Sequence, residues 1–165
     1  KESQKILCAK FRKGHFEGVL TVMDRLINLI NPKYIMMGKK DYQQLLFIKN
    51  FIKGKYKSKI YPCRTIRDKN NVPLSTRNNL LNKNDLMKVG LISTIIKKTK
   101  PLIRQKKYPN KYLDFLKKKL IKKFDIEIDY LQVRNEFNLQ KFEQNKRYRI
   151  FIAYFINKIR LIDNF

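Results

Sequence analysis

Cysteine, histidine and tryptophan are nearly missing from this chain: two cysteines, one histidine and no tryptophan. Cys8 and Cys63 stand far apart and in no metal-like spacing, which gives no support to a zinc site and none to a disulfide framework. Isolated free thiols fit a reducing, cytoplasmic compartment. No apolar run approaches the roughly 20 residues that a membrane-crossing helix needs, and no signal peptide is visible. Acidic side chains are scarce as well. Against 13 Asp and Glu stand 39 Lys and Arg, a net charge of +26. Such a balance normally suggests nucleic acid or an anionic membrane as partner. Here the excess is mostly lysine, 29 against 10 arginines, with abundant Asn and Ile. Those residues have A/T-rich codons, so a biased genome yields this surface without selection for a polyanion. The nine tyrosines and eleven phenylalanines fall mainly at apolar-face positions rather than interleaved with basic residues, unlike the stacking platforms of single-strand binders. No specific nucleic acid and no membrane is therefore expected. A basic RNA- or DNA-binding module and an inactive remnant stand as the competing readings.

What is present is a globular composition. A 165-residue chain with 43% apolar residues can bury a core as one domain or two small ones. Residues 17–30 carry Val19, Leu20, Val22, Met23, Leu26, Ile27 and Ile30 at helical spacing with a wide buried stripe, stopped at Asn31-Pro32. Tyr34 to Met37 read as a short strand and Asp41 to Lys53 as a second helix ending at Gly54. A further strand is expected at Lys59 to Cys63. That α–β–α–β order predicts a parallel sheet with helical cover. Beyond a polar stretch at 68–73 the pattern changes. Asn82 starts a helix to about Lys98, and Pro101 and Pro109 bracket a loop. Lys111 to Lys123 form an amphipathic helix with Tyr112, Leu113, Phe115, Leu116 and Leu120 on its apolar side and a solvated lysine face. Ile126 to Arg134 alternate, with Ile126, Ile128, Tyr130 and Gln132 on one face and Glu127, Asp129, Leu131 and Val133 on the other. Arg149–Phe155, a turn at Asn157-Lys158 and Ile159–Ile162 complete an antiparallel sheet. The boundary is set after residue 73: 1–73 a sheet-and-helix domain, 74–165 a small α+β domain.

The segment with most chemistry is Tyr34 to Gln44. A strand, a glycine turn with lysines and then a helix bring free backbone N–H groups to one sheet edge, where phosphate is favoured. Lys40 adds a cation. Asp41 can cap the helix and offer oxygen to a ribose, and Gln44 lies one turn on, on the same side. The ordinary alternative is a β–turn–α connection closed by a D-x-x-Q capping pair.

Three more blocks accompany it: Arg12-Lys-Gly-His15-Phe-Glu-Gly-Val-Leu-Thr-Val22, Ile66-Arg-Asp-Lys69 leading to Leu74-Ser-Thr-Arg77-Asn, and a final Arg160-Leu-Ile-Asp-Asn164. Together these resemble the pantoate–β-alanine ligase (pantothenate synthetase) family of the nucleotidyltransferase superfamily, with its R-P-G-H-F-x-G-V-x-T-V, G-E-K-D-Y-Q-Q, [LM]-S-S-R-N and R-L-I-D-N blocks in this order. The family's H-x-G-H region, with its main catalytic histidine, has no counterpart here, so the chain is expected to be the C-terminal part of the enzyme and to catalyse little alone. The fold implied is α/β: the C-terminal part of a Rossmann-like nucleotidyltransferase domain, then a small α+β domain with an antiparallel sheet.

The resemblance implies ATP-dependent condensation of pantoate with β-alanine through pantoyl adenylate, with Mg²⁺, in a cytoplasmic homodimer. Gly38, Lys39, Lys40 and Asp41 match the nucleotide segment, with Lys40 on phosphate; Lys39 replaces the family's glutamate. Gln44 matches the pantoate-binding glutamine. Ile66 matches a backbone contact to adenine. Leu74, Ser75, Thr76 and Arg77 match the phosphate loop, where Thr76 keeps the hydroxyl of the family's second serine. Arg12 and His15 match residues near the adenylate, and Lys13 replaces a proline, loosening that loop. Lys40, Arg77 and His15 are the catalytic candidates, and no metal ligand is assigned.

Overall fold

The computed structural model describes residues 5–165, which divide into two compact units between Thr65 and Ile66. The segment 66–73 belongs to the second unit, through contacts given below.

The first unit is built on a β–α–β crossover. Helix α1 (Leu7–Phe11), which the sequence did not announce, precedes α2 (His15–Ile30). Strand β1 (Tyr34–Gly38) runs parallel to β2 (Lys59–Cys63), with Ile35 opposite Ile60, and α3 (Tyr42–Ile52) joins them. A parallel pair needs such a crossover. The strand starts are aligned by two bonds across the connection: the Lys59 amide donates to the Lys33 carbonyl at 3.0 Å, and the Ser58 hydroxyl to the Pro32 carbonyl at 2.6 Å. Asn31 closes α2 in the left-handed conformation (φ 48°), its amide bonded to the Ile27 carbonyl at 2.8 Å, a role open to asparagine as to glycine.

Period-two alternation sorts β1. Ile35 and Met37 face a core of Ile27, Ile48 and Ile52 from α2 and α3, while Tyr34, Met36 and Tyr61 are exposed. Burial of a branched side chain such as Ile48, 0% exposed, stabilises by about 1.5–3 kcal/mol. The buried stripe of α2 is narrower than its sequence predicts. Val22, Leu26 and Ile30 are exposed, because one sheet face and one helix cover only the Val19, Leu20, Met23 and Ile27 side.

The second unit packs α4 (Lys83–Thr99) and α5 (Pro109–Phe124) with an antiparallel sheet of β3 (Glu127–Asn135), β4 (Tyr148–Ile156) and β5 (Ile159–Asn164), in that spatial order. Its core joins Ile92 and Ile96 of α4, Leu113 and Leu120 of α5, and Ile150, Ile152 and Tyr154 of β4. Asn82 caps α4 by accepting from the Asp85 amide at 2.9 Å. The segment after α4, expected as a loop, forms a 3₁₀ helix over Lys100–Gln105 with Pro at its start.

Two further expectations change. Phe115 points outward at 56% exposure, with the Lys119 ammonium 4.6 Å above its ring, instead of joining the apolar side of α5. The alternation of β3 is interrupted by a register shift between Ile128 and Tyr130. A bulge adds one residue and flips the phase, so Ile128, Leu131 and Val133 all enter the core. The Asn157-Lys158 turn has positive φ at both residues, 47° and 66°, the geometry whose twist suits a two-residue hairpin.

Candidate functional site

In the first unit, the motif lies at the C-terminal end of β1, where the sheet delivers its chain. Gly38 ends the strand in an extended conformation (φ −69°), so no left-handed turn demands glycine. A Cβ built there meets nothing within 4 Å. The residue therefore keeps an open approach to its backbone rather than relieving a clash. Lys39, Lys40 and Asp41 form one 3₁₀ turn leading into α3. Asp41 occupies the N-cap position of α3 (φ −93°) but makes no side-chain capping bond. The anticipated cap and the D-x-x-Q pair are thus absent, and a 3₁₀ turn leads into the helix instead. Gln44 is half-buried one turn further on, on α3. Its neighbour Gln43 is buried and donates from Nε2 to the Ile6 carbonyl at 3.0 Å, tying α3 to the chain entering α1.

The Arg12–His15 block is the α1–α2 corner. Arg12 caps α1, with its amide on the Cys8 carbonyl at 2.9 Å. Gly14 takes φ +74°, which a side-chain-bearing residue adopts only with strain. The turn lets His15 begin α2, half-buried, its ring 5.0 Å from Phe16. Lys13, in the place of the family's proline, is exposed in this turn.

In the second unit, Ile66 and Leu74 face each other across a short hairpin: the Leu74 amide donates to the Ile66 carbonyl at 3.0 Å. Both side chains are exposed. Asp68 organises the turn between them, its Oδ1 accepting from the amides of Asn70 at 2.8 Å and Val72 at 2.9 Å. Directly after Leu74, Ser75 caps a 3₁₀ helix over Thr76–Leu80, its Oγ accepting from the Arg77 amide at 3.3 Å. Thr76 and Arg77 are exposed on this turn. In the first unit the candidates thus fall in two places, the Gly38–Asp41 turn with Gln44 one helical turn on and the Arg12–His15 corner between α1 and α2; in the second they form a hairpin with its following turn. Sequence reasoning passed over the residues that hold this hairpin, Arg67, Gly90 and Asp163, because their partners lie far away along the chain.

The charge on these turns suits an anion. Lys39 and Lys40 on one, Arg77 on the other, supply a flexible point charge and a planar fork of donors. Among the described residues, no group of three or more His, Cys, Asp or Glu is placed to hold a metal ion, and no helix is long and apolar enough to cross a membrane.

A family model described as pantoate-beta-alanine ligase matches residues 1–165. The pantothenate synthetase of Flavobacterium psychrophilum is 33% identical over 159 residues, spanning 94% of this chain and 56% of that protein. The bifunctional pantoate ligase/cytidylate kinase of Prochlorococcus marinus is 40% identical over 166 residues, 99% of this chain and 32% of that one. The solved pantoate-beta-alanine ligase of Francisella tularensis, complexed with beta-gamma ATP and beta-alanine, superposes with a TM-score of 0.78 at 35% identity, covering 100% of this chain and 55% of its own. The pantothenate synthetase of Thermus thermophilus, at 23% identity and a TM-score of 0.81, shares the fold. The chain spans about half the length of the curated relatives it matches. It belongs to the pantoate–β-alanine ligase family.

Proposed function

We propose that this member of the pantoate–β-alanine ligase family contributes the C-terminal part of an enzyme that joins pantoate to β-alanine at the expense of ATP. The observation that carries the reading is the family match over residues 1–165, with the family's nucleotide motif on an open strand end and its serine–arginine motif on an exposed capped turn.

In this reading a pantoate carboxylate oxygen attacks the α-phosphorus of ATP. The bond from that phosphorus to pyrophosphate breaks, and pantoyl adenylate forms. The β-alanine amine then attacks the acyl carbon, the bond to AMP breaks, and the amine loses its proton to give the amide. The first step crowds negative charge onto phosphate oxygens, so catalysis rests on fixed cations and N–H donors aimed at them. Lys40 serves the phosphates, and Gly38 and Asp41 lie at the ribose, where glycine lets the backbone approach closely and the carboxylate accepts from a hydroxyl. Gln44 holds pantoate, since an amide both donates and accepts. Ile66 meets the adenine through backbone atoms, and Leu74 opens the phosphate loop. Ser75, Thr76 and Arg77 take the departing pyrophosphate, Arg77 with two parallel donors. Arg12 and His15 stand beside the adenylate. Mg²⁺ arrives as the companion of the ATP phosphates, and no step is assigned to it through this chain's residues. The working protein in this proposal is a cytoplasmic homodimer.

The test is ATP–pyrophosphate exchange dependent on pantoate, measured on the full natural protein. Lys40→Ala should slow exchange by about 10²-fold, the usual scale for losing one preorganised donor. Gln44→Ala should raise the pantoate requirement more than the ATP requirement. Absence of pantoate-dependent exchange in the unaltered protein overturns the reading.

A further inference from the structure

Arg67 and Asp163 are 96 positions apart and form the most enclosed ion pair of the second unit, with side-chain exposures of 18% and 2%. The contact is bidentate. Arg67 Nη1 donates to Asp163 Oδ2 and Nη2 to Oδ1, both at 2.7 Å. Nη1 also donates to the Asn71 carbonyl at 3.0 Å and Nη2 to the Asn164 carbonyl at 3.4 Å. The guanidinium lies 4.7 Å from the Phe165 ring centroid. Asp163 further accepts from the Ser93 hydroxyl at 3.3 Å and from the Asn164 amide at 2.7 Å. Burial pushes the Asp163 carboxyl above its ordinary range, and Arg67 opposes that push. One carboxylate thus gathers donors from the 66–74 hairpin, from α4 and from β5.

The hairpin is seated on α4 as well. Asn71 Nδ2 donates to Thr94 Oγ1 at 3.3 Å. The Asn70 carbonyl lies so close to Gly90 that a Cβ there would meet it at 2.5 Å. A buried ion pair is a poor way to gain stability, because desolvation offsets the attraction and apolar residues of like volume often do as well. What a planar, two-point pair adds is a fixed orientation. Here it orients the backbone that bears Ile66 and Leu74 and runs directly into Ser75, Thr76 and Arg77. None of the roles proposed above uses Arg67, Ser93 or Asp163.

We infer that the Arg67–Asp163 pair is a positioning device for the nucleotide: it locks the 66–74 hairpin between α4 and β5 and so sets the register of the Ser75–Arg77 turn. Arg67, Ser93 and Asp163 are positioning residues that touch no substrate. The kinetic arm of its test rests on the proposed ligase reading; the structural arm does not.

The decisive variant of the full natural protein is Arg67→Met with Asp163→Leu, an apolar pair that fills the space without fixing an angle. Hydrogen exchange, read by peptide, should quicken by about tenfold or more over residues 66–80 and stay unchanged over β3 and β4, the signature of local rather than global opening. The KM for ATP in pyrophosphate exchange should rise about tenfold, while the rate at which preformed pantoyl adenylate reacts with β-alanine changes less than about twofold. A folded variant with unaltered exchange over 66–80 overturns the inference, as does an unaltered KM for ATP beside a normal fold. If the unaltered protein lacks pyrophosphate exchange, the ligase reading fails by itself and hydrogen exchange alone decides the positioning role. If the double variant does not fold, Ser93→Ala, which removes one donor, should loosen the same segment to a smaller extent; no loosening there overturns the inference equally.

Discussion

Gly90 and Gly38 show how differently two glycines can be required. Gly90 sits inside α4, where alanine ordinarily gains about 1 kcal/mol of helix stability. Its missing side chain leaves room for the Asn70 carbonyl, a backbone atom that cannot swing aside. Gly90→Ala should therefore destabilise the chain by about 1–3 kcal/mol, the usual cost of overpacking, seen as a lower midpoint in denaturant with an unchanged slope. Gly38→Ala should leave stability within about 0.5 kcal/mol, as a surface substitution does, because its φ is ordinary and its surroundings open. The same change should weaken ATP binding in the full natural protein if a ligand approaches that backbone. A stable Gly90→Ala variant would mean that the hairpin lifts away from α4 at little cost. The sequence made Gly38 conspicuous, since it stands in a motif with lysine and aspartate. It left Gly90 mute. The contact that needs it comes from a turn twenty positions earlier, and no local pattern records such a contact. Arg67 and Asp163 were likewise visible only as members of two resembling blocks, with nothing in either block to say that they meet.

Elements were legible wherever a period survived. The helices α2 to α5 and the strands of both sheets stand close to where spacing and caps set them, because apolar residues at 3.6 or 2.0 repeats must share a face. Some misses, such as the exposed Val22 and Leu26 of α2, arise because the period says where a stripe lies but not how wide its cover is; others are places where one added residue or one short turn breaks the period. The bulge in β3 and the 3₁₀ turns at 39–41 and 100–105 are of this kind. At this scale the α2–α3 layer carries its own pH dependence. Asp24 of α2 accepts from Lys55 Nζ at 2.5 Å and from the Tyr56 hydroxyl. The hydrogen bond from Lys55, then that from Tyr56, holds the Asp24 carboxyl below its ordinary value, and Asp24 in turn raises Lys55. A lowered carboxyl contributes stability above its unfolded value, lost as pH falls through the folded one. A raised lysine contributes below its unfolded value, lost as pH rises through the folded one. Between about pH 4 and pH 10 the trio's contribution is accordingly flat. Because the groups are exposed, the effect is small. Asp24→Asn should flatten the acid side of the stability profile without moving the β3–β4 amides, and carboxyl titration by NMR should find Asp24 below the ordinary aspartate value. An Asp24 that titrates at the ordinary value would break the assignment of the trio.

Across the whole molecule the governing quantity is charge. The amphipathic spacing of α5 predicts a solvated lysine face, and the structure agrees: Lys111, Lys118, Lys119, Lys122 and Lys123 are exposed, away from the buried Leu113, Leu120 and Phe124. With 13 acidic residues against 39 basic ones, most basic side chains cannot have an acid to themselves. The ion pairs seen among the described residues engage five acids, Asp24, Asp129, Glu136, Glu143 and Asp163. Favourable local pairs weaken with salt, whereas long-range repulsion among 26 net charges is relieved by it. The second effect acts over distances that screening reaches first, since the Debye length falls from about 30 Å at 0.01 M to about 8 Å at 0.15 M. The exposed pairs are worth at most about 1 kcal/mol each, and the enclosed Arg67–Asp163 pair is screened least of all. Repulsion should therefore dominate, and the thermal midpoint should climb steadily as sodium chloride is raised over that range. Non-specific duplex binding should fall over the same range with a steep logarithmic slope and no preference for sequence. A midpoint that drops with salt would show the local pairs outweighing the field, and would make the lysine surface a stabilising design rather than a load that the two cores must carry.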